Sequence, residues 1–175
     1  DLLWTTARIV VDSPDRGSDY PDSAFTAFTE DPELTPSNTA VIQTAYLIPN
    51  GPMLGNLQGL SQSGVDIRIL TNSAASTNHG SVHAYYAKYR QQLLTANIEL
   101  YEVKGTGSLA AYLDRVGEDA HAGLHTKAMV VDDRLSVIGS YNMDPRSRVW
   151  NSEIALVVED AGFAASVLQE MERDF

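Results

Sequence analysis

Six residues fall at a spacing that could support chemistry at phosphorus: His125, Lys127, Asp132, Gly139, Ser140 and Asn142, in the order H-x-K-x4-D-x6-G-S-x-N. A neutral imidazole can attack phosphorus, and its nucleophilicity rises when its other nitrogen donates to a carboxylate. Glu153 is a candidate for that carboxylate. Lys127 can neutralise charge on non-bridging phosphate oxygens, and the Asn142 amide and Ser140 hydroxyl can donate hydrogen bonds to them. Such a set could cleave a phosphodiester with no cofactor and no metal. Gly139 would permit close approach of a backbone or a ligand. At residue frequencies of a few per cent, six fixed positions coincide by chance roughly once in 10^7 to 10^8 windows.

These residues need a scaffold that brings them together. Leu124 to Val131 and Leu135 to Tyr141 are apolar runs separated by Asp132, Asp133 and Arg134, which predicts an antiparallel hairpin. Side chains alternate across a strand, so His125 and Lys127 share a face. A loop of two or four residues would set Asn142 opposite His125 and Ser140 opposite Lys127. A three-residue loop would shift the register by one and send Ser140 and Asn142 to the other face. Asp132 lies on the face opposite Lys127, so its expected job is to organise the turn.

The remaining elements predict an α/β fold, a mixed β-sheet sandwiched between helices. Trp4 to Val11 reads as a strand. AVIQTAYLIP, residues 40–49, reads as a buried strand stopped by Pro49, with a helix to Gln62 whose first turn holds Pro52. Val65 to Leu70 and Ile98 to Val103 read as strands, and the tyrosine-rich stretch from Ser81 to Ala96 as a helix with Ser81 as its cap. This half should be largely parallel and the rest antiparallel. Asn151 to Glu159 reads as a strand, and Ala161 to Phe175 as a helix. Residues 12–38 carry four of the seven prolines and read as a long irregular acidic segment, pinned by Phe25 and Phe28, within one domain spanning 1–175.

Composition narrows the function classes. The formal net charge is -11, which disfavours nucleic acid as a partner unless basic residues gather on one face. The absence of cysteine excludes disulfides and thiolate zinc sites. No apolar run approaches the length of a membrane span. The chain starts without Met and without a secretory-signal pattern, the expectation being a processed or excised piece. His83 in the tyrosine-rich helix reads as a packing residue, and His79 and His121 as loop residues. Asp144, Arg146 and Arg148 either line an anionic headgroup entrance or cap local structure, and Tyr46 is a candidate for the pocket wall.

The six-residue pattern resembles the HKD motif of the phospholipase D superfamily, with every motif position matched. Asn151-Ser152-Glu153 is similar to the segment that supplies the carboxylate supporting the nucleophilic histidine there. AYLIP, DIRILTNS and VHAYYAKYRQQLL are similar to the bacterial cardiolipin synthase branch, so the likeness covers most of residues 39 to 160. The resemblance implies a phospholipase D-like half-domain and a phosphohistidine intermediate. It also implies a phosphodiesterase or phosphatidyltransferase acting on phospholipid, bacterial and either membrane-associated or cytoplasmic. A membrane-surface role rests on the resemblance alone. Family members use two such motifs facing each other, one histidine as nucleophile and one as acid, and this chain has one. The implied partner is an N-terminal HKD half of the same enzyme, or a second copy as in one-motif nucleases of the superfamily. A noncatalytic assembly half is a further alternative.

Overall fold

The computed structural model describes residues 4–13, 32–105 and 123–175. Residues 14–31 of the expected irregular segment, with Phe25 and Phe28, lie outside the described residues, as does His121. The strands are β1 (Ala7–Val11), β2 (Thr39–Thr44), β3 (Asp66–Asn72), β4 (Glu99–Val103), β5 (Lys127–Val131), β6 (Leu135–Gly139) and β7 (Ile154–Glu159). The helices are α1 (Gly51–Gln62), α2 (Gly80–Thr95), α3 (Pro145–Val149) and α4 (Ala161–Met171). A 3-10 turn at Pro32–Leu34 precedes β2.

The strands form one seven-stranded sheet in the order β1-β7-β6-β5-β2-β3-β4. β2, β3 and β4 run parallel, and every other pairing is antiparallel. The helical crossovers explain the parallel half, because parallel neighbours need long connections. Alternation sorts the side chains onto two faces. Ala40, Ile42, Ile67 and Ile69 pack under Leu57 of α1 and Tyr86 and Leu93 of α2. Val41, Ala128 and Val130 meet Ala164 and Met171 of α4 on the other face. The result is a mixed sheet between helices.

Several elements are shorter than their apolar runs. β2 stops at Thr44, because Thr44 Oγ1 donates to the Tyr46 carbonyl at 3.0 Å and Leu47 then pairs with Met143. β1 begins at Ala7, β5 at Lys127 and β7 at Ile154, each later than the sequence pattern suggests. Pro52 does lie in the first turn of α1. Ser81 is not the cap of α2: the helix starts one residue earlier, with His79 at the cap position and no side-chain hydrogen bond there.

Asp132 ties the two halves of the sheet. Its carboxylate accepts the backbone N–H of Ser37, Asn38 and Thr39 at 2.9, 2.7 and 2.9 Å, and its own N–H donates to the Thr39 carbonyl at 3.0 Å. Burial opposes its charge, but the donors from Thr39, Ser37 and Asn38 outweigh that and hold the carboxyl below the usual range. It therefore organises the entry of β2 as well as the turn.

Candidate active site

Three strand ends meet at one edge of the sheet: the start of β5, the end of β6 and the start of β7. They surround a cavity of about 560 Å³. His125, Lys127, Gly139, Ser140 and Asn142 line it from the hairpin, and Asn151, Ser152 and Glu153 from the approach to β7. Asp132 lies at the far end of β5, five residues along an extended strand, roughly 17 Å from this edge.

The expected cross-strand pairs do not form. The connection is three residues long, Asp132 to Arg134, with Asp132 and Asp133 both left-handed at φ 50 and 53. Ala128 therefore pairs with Ile138 and Val131 with Leu135, one residue away from the register that would set Asn142 against His125. Ser140 and Asn142 reach the cavity by another route. β6 ends at Gly139, Ser140 N–H donates to the Ile154 carbonyl at 2.9 Å, and the chain then peels off the ladder. Asn142 N–H meets Ser147 Oγ at 3.2 Å, and the Met143 carbonyl accepts from Ile48 N–H at 2.7 Å. Alternation does not govern residues that have left the strand. A Cβ on Gly139 would sit 2.8 Å from Ala155 Cα and collide with the Ile154 carbonyl, so only glycine lets β6 and β7 approach here.

His125 is exposed at the mouth. Lys127 Nζ donates to the His125 carbonyl at 2.7 Å and lies 3.4 Å from His125 Nδ1. Burial pushes the Lys127 ammonium below its ordinary range, while the charges of Glu153 and Asp144 act in the opposite sense. Asn142 is buried, and its Oδ1 accepts the Tyr46 backbone N–H at 3.3 Å, which fixes which end of the amide is the donor.

Glu153 is 4% exposed. Its carboxylate accepts a short hydrogen bond from Ser140 Oγ and one of 3.1 Å from Asn151 Nδ2. No hydrogen bond joins it to His125 among the described residues, although both line the cavity. Ser140 Oγ in turn accepts Ile154 N–H at 3.0 Å. The hydroxyl proton of Ser140 is thus directed at Glu153.

The flanking candidates have local work. Asp144 caps α3, its carboxylate accepting Ser147 N–H at 2.8 Å, and burial raises its carboxyl against the pull of the Ser147 and Arg146 N–H groups. Arg146 Nε donates to Asn151 Oδ1 at 3.3 Å. Tyr46 gives its hydroxyl to Asn78 at 2.9 Å and its ring edge to His79, and its side chain does not line the cavity. His83 packs against Tyr86 and meets Arg90 Nη2 at 3.3 Å on α2.

Two supporting residues escaped sequence reasoning. Asn72, buried at the end of β3, donates to the Ala45 and Leu124 carbonyls at 3.0 and 2.9 Å and accepts Leu124 N–H at 2.8 Å. It clamps the segment that delivers His125. Asp12 holds Glu153 from the edge strand, accepting its N–H at 3.0 Å and donating its own N–H to the Glu153 carbonyl at 2.9 Å. The only signal for Asn72 was its place in a polar cluster after a strand, and Asp12 read as the start of a loop. No cluster of three or more His, Asp or Glu side chains among the described residues is placed to hold a metal ion, and no helix among them is long and apolar enough to cross a membrane.

The geometry can be set beside known proteins. Cardiolipin synthase C of Escherichia coli K12 is 34% identical over 172 residues, which span 93% of this chain and 35% of that protein. The chain thus spans about a third of that relative's length. Two solved structures share the fold. Nuc from Salmonella typhimurium, a phospholipase D family member, superposes with a TM-score of 0.64 at 19% identity, covering 98% of this chain and 94% of that one. NucT from Helicobacter pylori gives 0.68 at 13% identity, covering 98% and 96%. Residues 35–175 match the family described as cardiolipin synthase, PLD-like domain, and the chain belongs to that family.

Proposed function

We propose that the chain supplies one of the two catalytic halves of a metal-independent phosphodiester exchange on phospholipid, of the cardiolipin synthase kind. The observation that carries this reading is the single cavity in which His125, Lys127 and Asn142 gather at the strand ends. Attack by Nε2 of His125 requires the proton on Nδ1 and an acceptor for it; the Lys127 ammonium, which only donates, cannot be that acceptor, and Glu153 is the carboxylate assigned to it. The Nε2–P bond forms as the bond from phosphorus to the leaving alcohol oxygen breaks. Lys127 neutralises charge on the non-bridging oxygens and the Asn142 amide donates hydrogen bonds to them. Ser140 and Asn151 hold Glu153 at the wall of the cavity, where its charge supports the imidazolium side of the cycle.

The departing alkoxide needs a proton, and among the described residues lining the cavity His125 is the one histidine. That proton comes from the opposing histidine of an N-terminal HKD half. An acceptor alcohol, or water, then displaces His125 from phosphorus. The membrane surface is where such a lipid is met. A second reading, a one-motif homodimer of nuclease type, is favoured by one observation: the Nuc and NucT chains match this one in length almost end to end. The charge of -11 weighs against a polyanionic substrate.

The test is turnover of a lipid phosphodiester in chelator by the full-length gene product, wild type against His125→Ala, with acid-quench trapping of the phosphoenzyme. Loss of both turnover and trapped phosphate is expected. Full activity in the variant would overturn the assignment, and strong activity from a proven monomer of this chain alone would overturn the half-site reading.

A further inference from the structure

A second cavity, of about 720 Å³, adjoins the first. It lies between α1 and the sheet face that carries Lys127, and Lys127 and Gly139 line both spaces. Away from those two residues its lining is mainly apolar, with Ala40, Ile42, Met129 and Val137 on the sheet, beside the polar Thr44, Tyr141 and Arg148. A phosphate ester held at Lys127 therefore has an apolar space beside its ester groups. At roughly 30 Å³ per methylene, close to the share of one water in the liquid, the space holds a long alkyl chain.

α1 forms the opposite wall, where Gly55 and Gly59 line the cavity. Both sit inside a helix, where glycine is the least favourable residue after proline. A Cβ at either would meet nothing within 4 Å. Neither glycine is there to let backbones approach; both are exposed, and their missing side chains leave this side of the cavity open to solvent.

We infer that this cavity is the acyl-chain site, with the phosphate at Lys127 and one fatty chain of the same molecule running past Gly55 and Gly59. The inference rests on the lipid reading above and deepens it, by naming where the chain lies and which residues line its path. The bases and sugars of a polynucleotide would leave this apolar space unfilled.

The experiment measures binding of n-alkyl phosphates, butyl to dodecyl, to the chain by titration calorimetry below their micelle concentrations. The cavity exceeds the volume of a dodecyl chain, so in the wild type affinity should rise about fourfold per added methylene throughout the series. Gly55→Leu and Gly59→Leu, which put side chains into the path of the alkyl chain, should lower the dodecyl-to-butyl affinity ratio at least tenfold. Leucine favours helix, so a thermal melt should show both variants folded. A flat wild-type series, or an unchanged ratio in both folded variants, would overturn the inference. His125-dependent turnover of lipid, measured separately, distinguishes the two failures. Turnover with a flat series removes only the chain site, whereas a sloped series without turnover overturns the lipid reading.

Discussion

Replacing Asp132 should damage the fold while leaving the chemistry of surviving molecules intact, although Asp132 belongs to the motif. The carboxylate accepts three backbone N–H groups from residues 37 to 39, and only the one from Thr39 is partly buried. A hydrogen bond to a charged group contributes about 1.5–3 kcal/mol where water cannot replace it, and much less where it can. The left-handed backbone at φ 50 adds about 1 kcal/mol for an alanine. Asp132→Ala should therefore cost about 4 kcal/mol, and Asp132→Asn, which keeps one acceptor and tolerates the conformation, about 2 kcal/mol. For a chain of this size the alanine variant should melt roughly 8–16 °C lower. The acid limb gives an independent reading. Because the folded carboxyl is held below its unfolded value of about 3.9, its contribution is present above that pH and is lost as pH falls through the folded value. Asp132→Asn should lack that contribution in urea unfolding followed from pH 6 downward. KM for a diester in the assembled enzyme should be unchanged. Variants as stable as the wild type, or a large rise in KM with stability preserved, would refute the argument.

Two further outcomes follow from the site. Turnover should fall on the alkaline side at a pH below the ordinary lysine range, because the partly buried Lys127 ammonium loses its proton early, and Lys127→Arg, which cannot deprotonate, should remove that limb from the kcat/KM profile. Ser140→Ala should cost about 1–3 kcal/mol in urea unfolding, since it leaves the buried Glu153 carboxylate one donor short and Ile154 N–H without its acceptor; a change under about 0.5 kcal/mol would contradict the geometry.

The motif, the hairpin and the order of parallel and antiparallel strands were legible because they follow from local pattern: apolar runs, alternation and the crossover helices. The register was not, because it turned on whether Asp132 and Leu135 belonged to the loop or to the strands. Two consecutive left-handed aspartates made the connection three residues long without the glycine that usually announces such a turn. The departure of Ser140 and Asn142 from the strand was hidden for a different reason. It depends on Tyr46, Ile48 and Ile154, partners brought close only by the assembled sheet. Asn72 and Asp12 were missed likewise, since each earns its role from a contact more than fifty residues away along the chain.

The clasp between Tyr46 and Asn142 bears on how so acidic a chain could receive an anion. Tyr46 N–H occupies the Asn142 carbonyl oxygen, and Ser140 and Asn151 occupy both oxygens of Glu153. The lone pairs near the cavity are thus turned inward to neighbours, while the Asn142 amide hydrogens and the Lys127 ammonium remain to face an incoming group. On the proposed reading, the site selects an anion by which ends of its dipoles are already engaged. A net charge of -11 can then weigh against a long polyanion while leaving the cavity open to a single phosphate group.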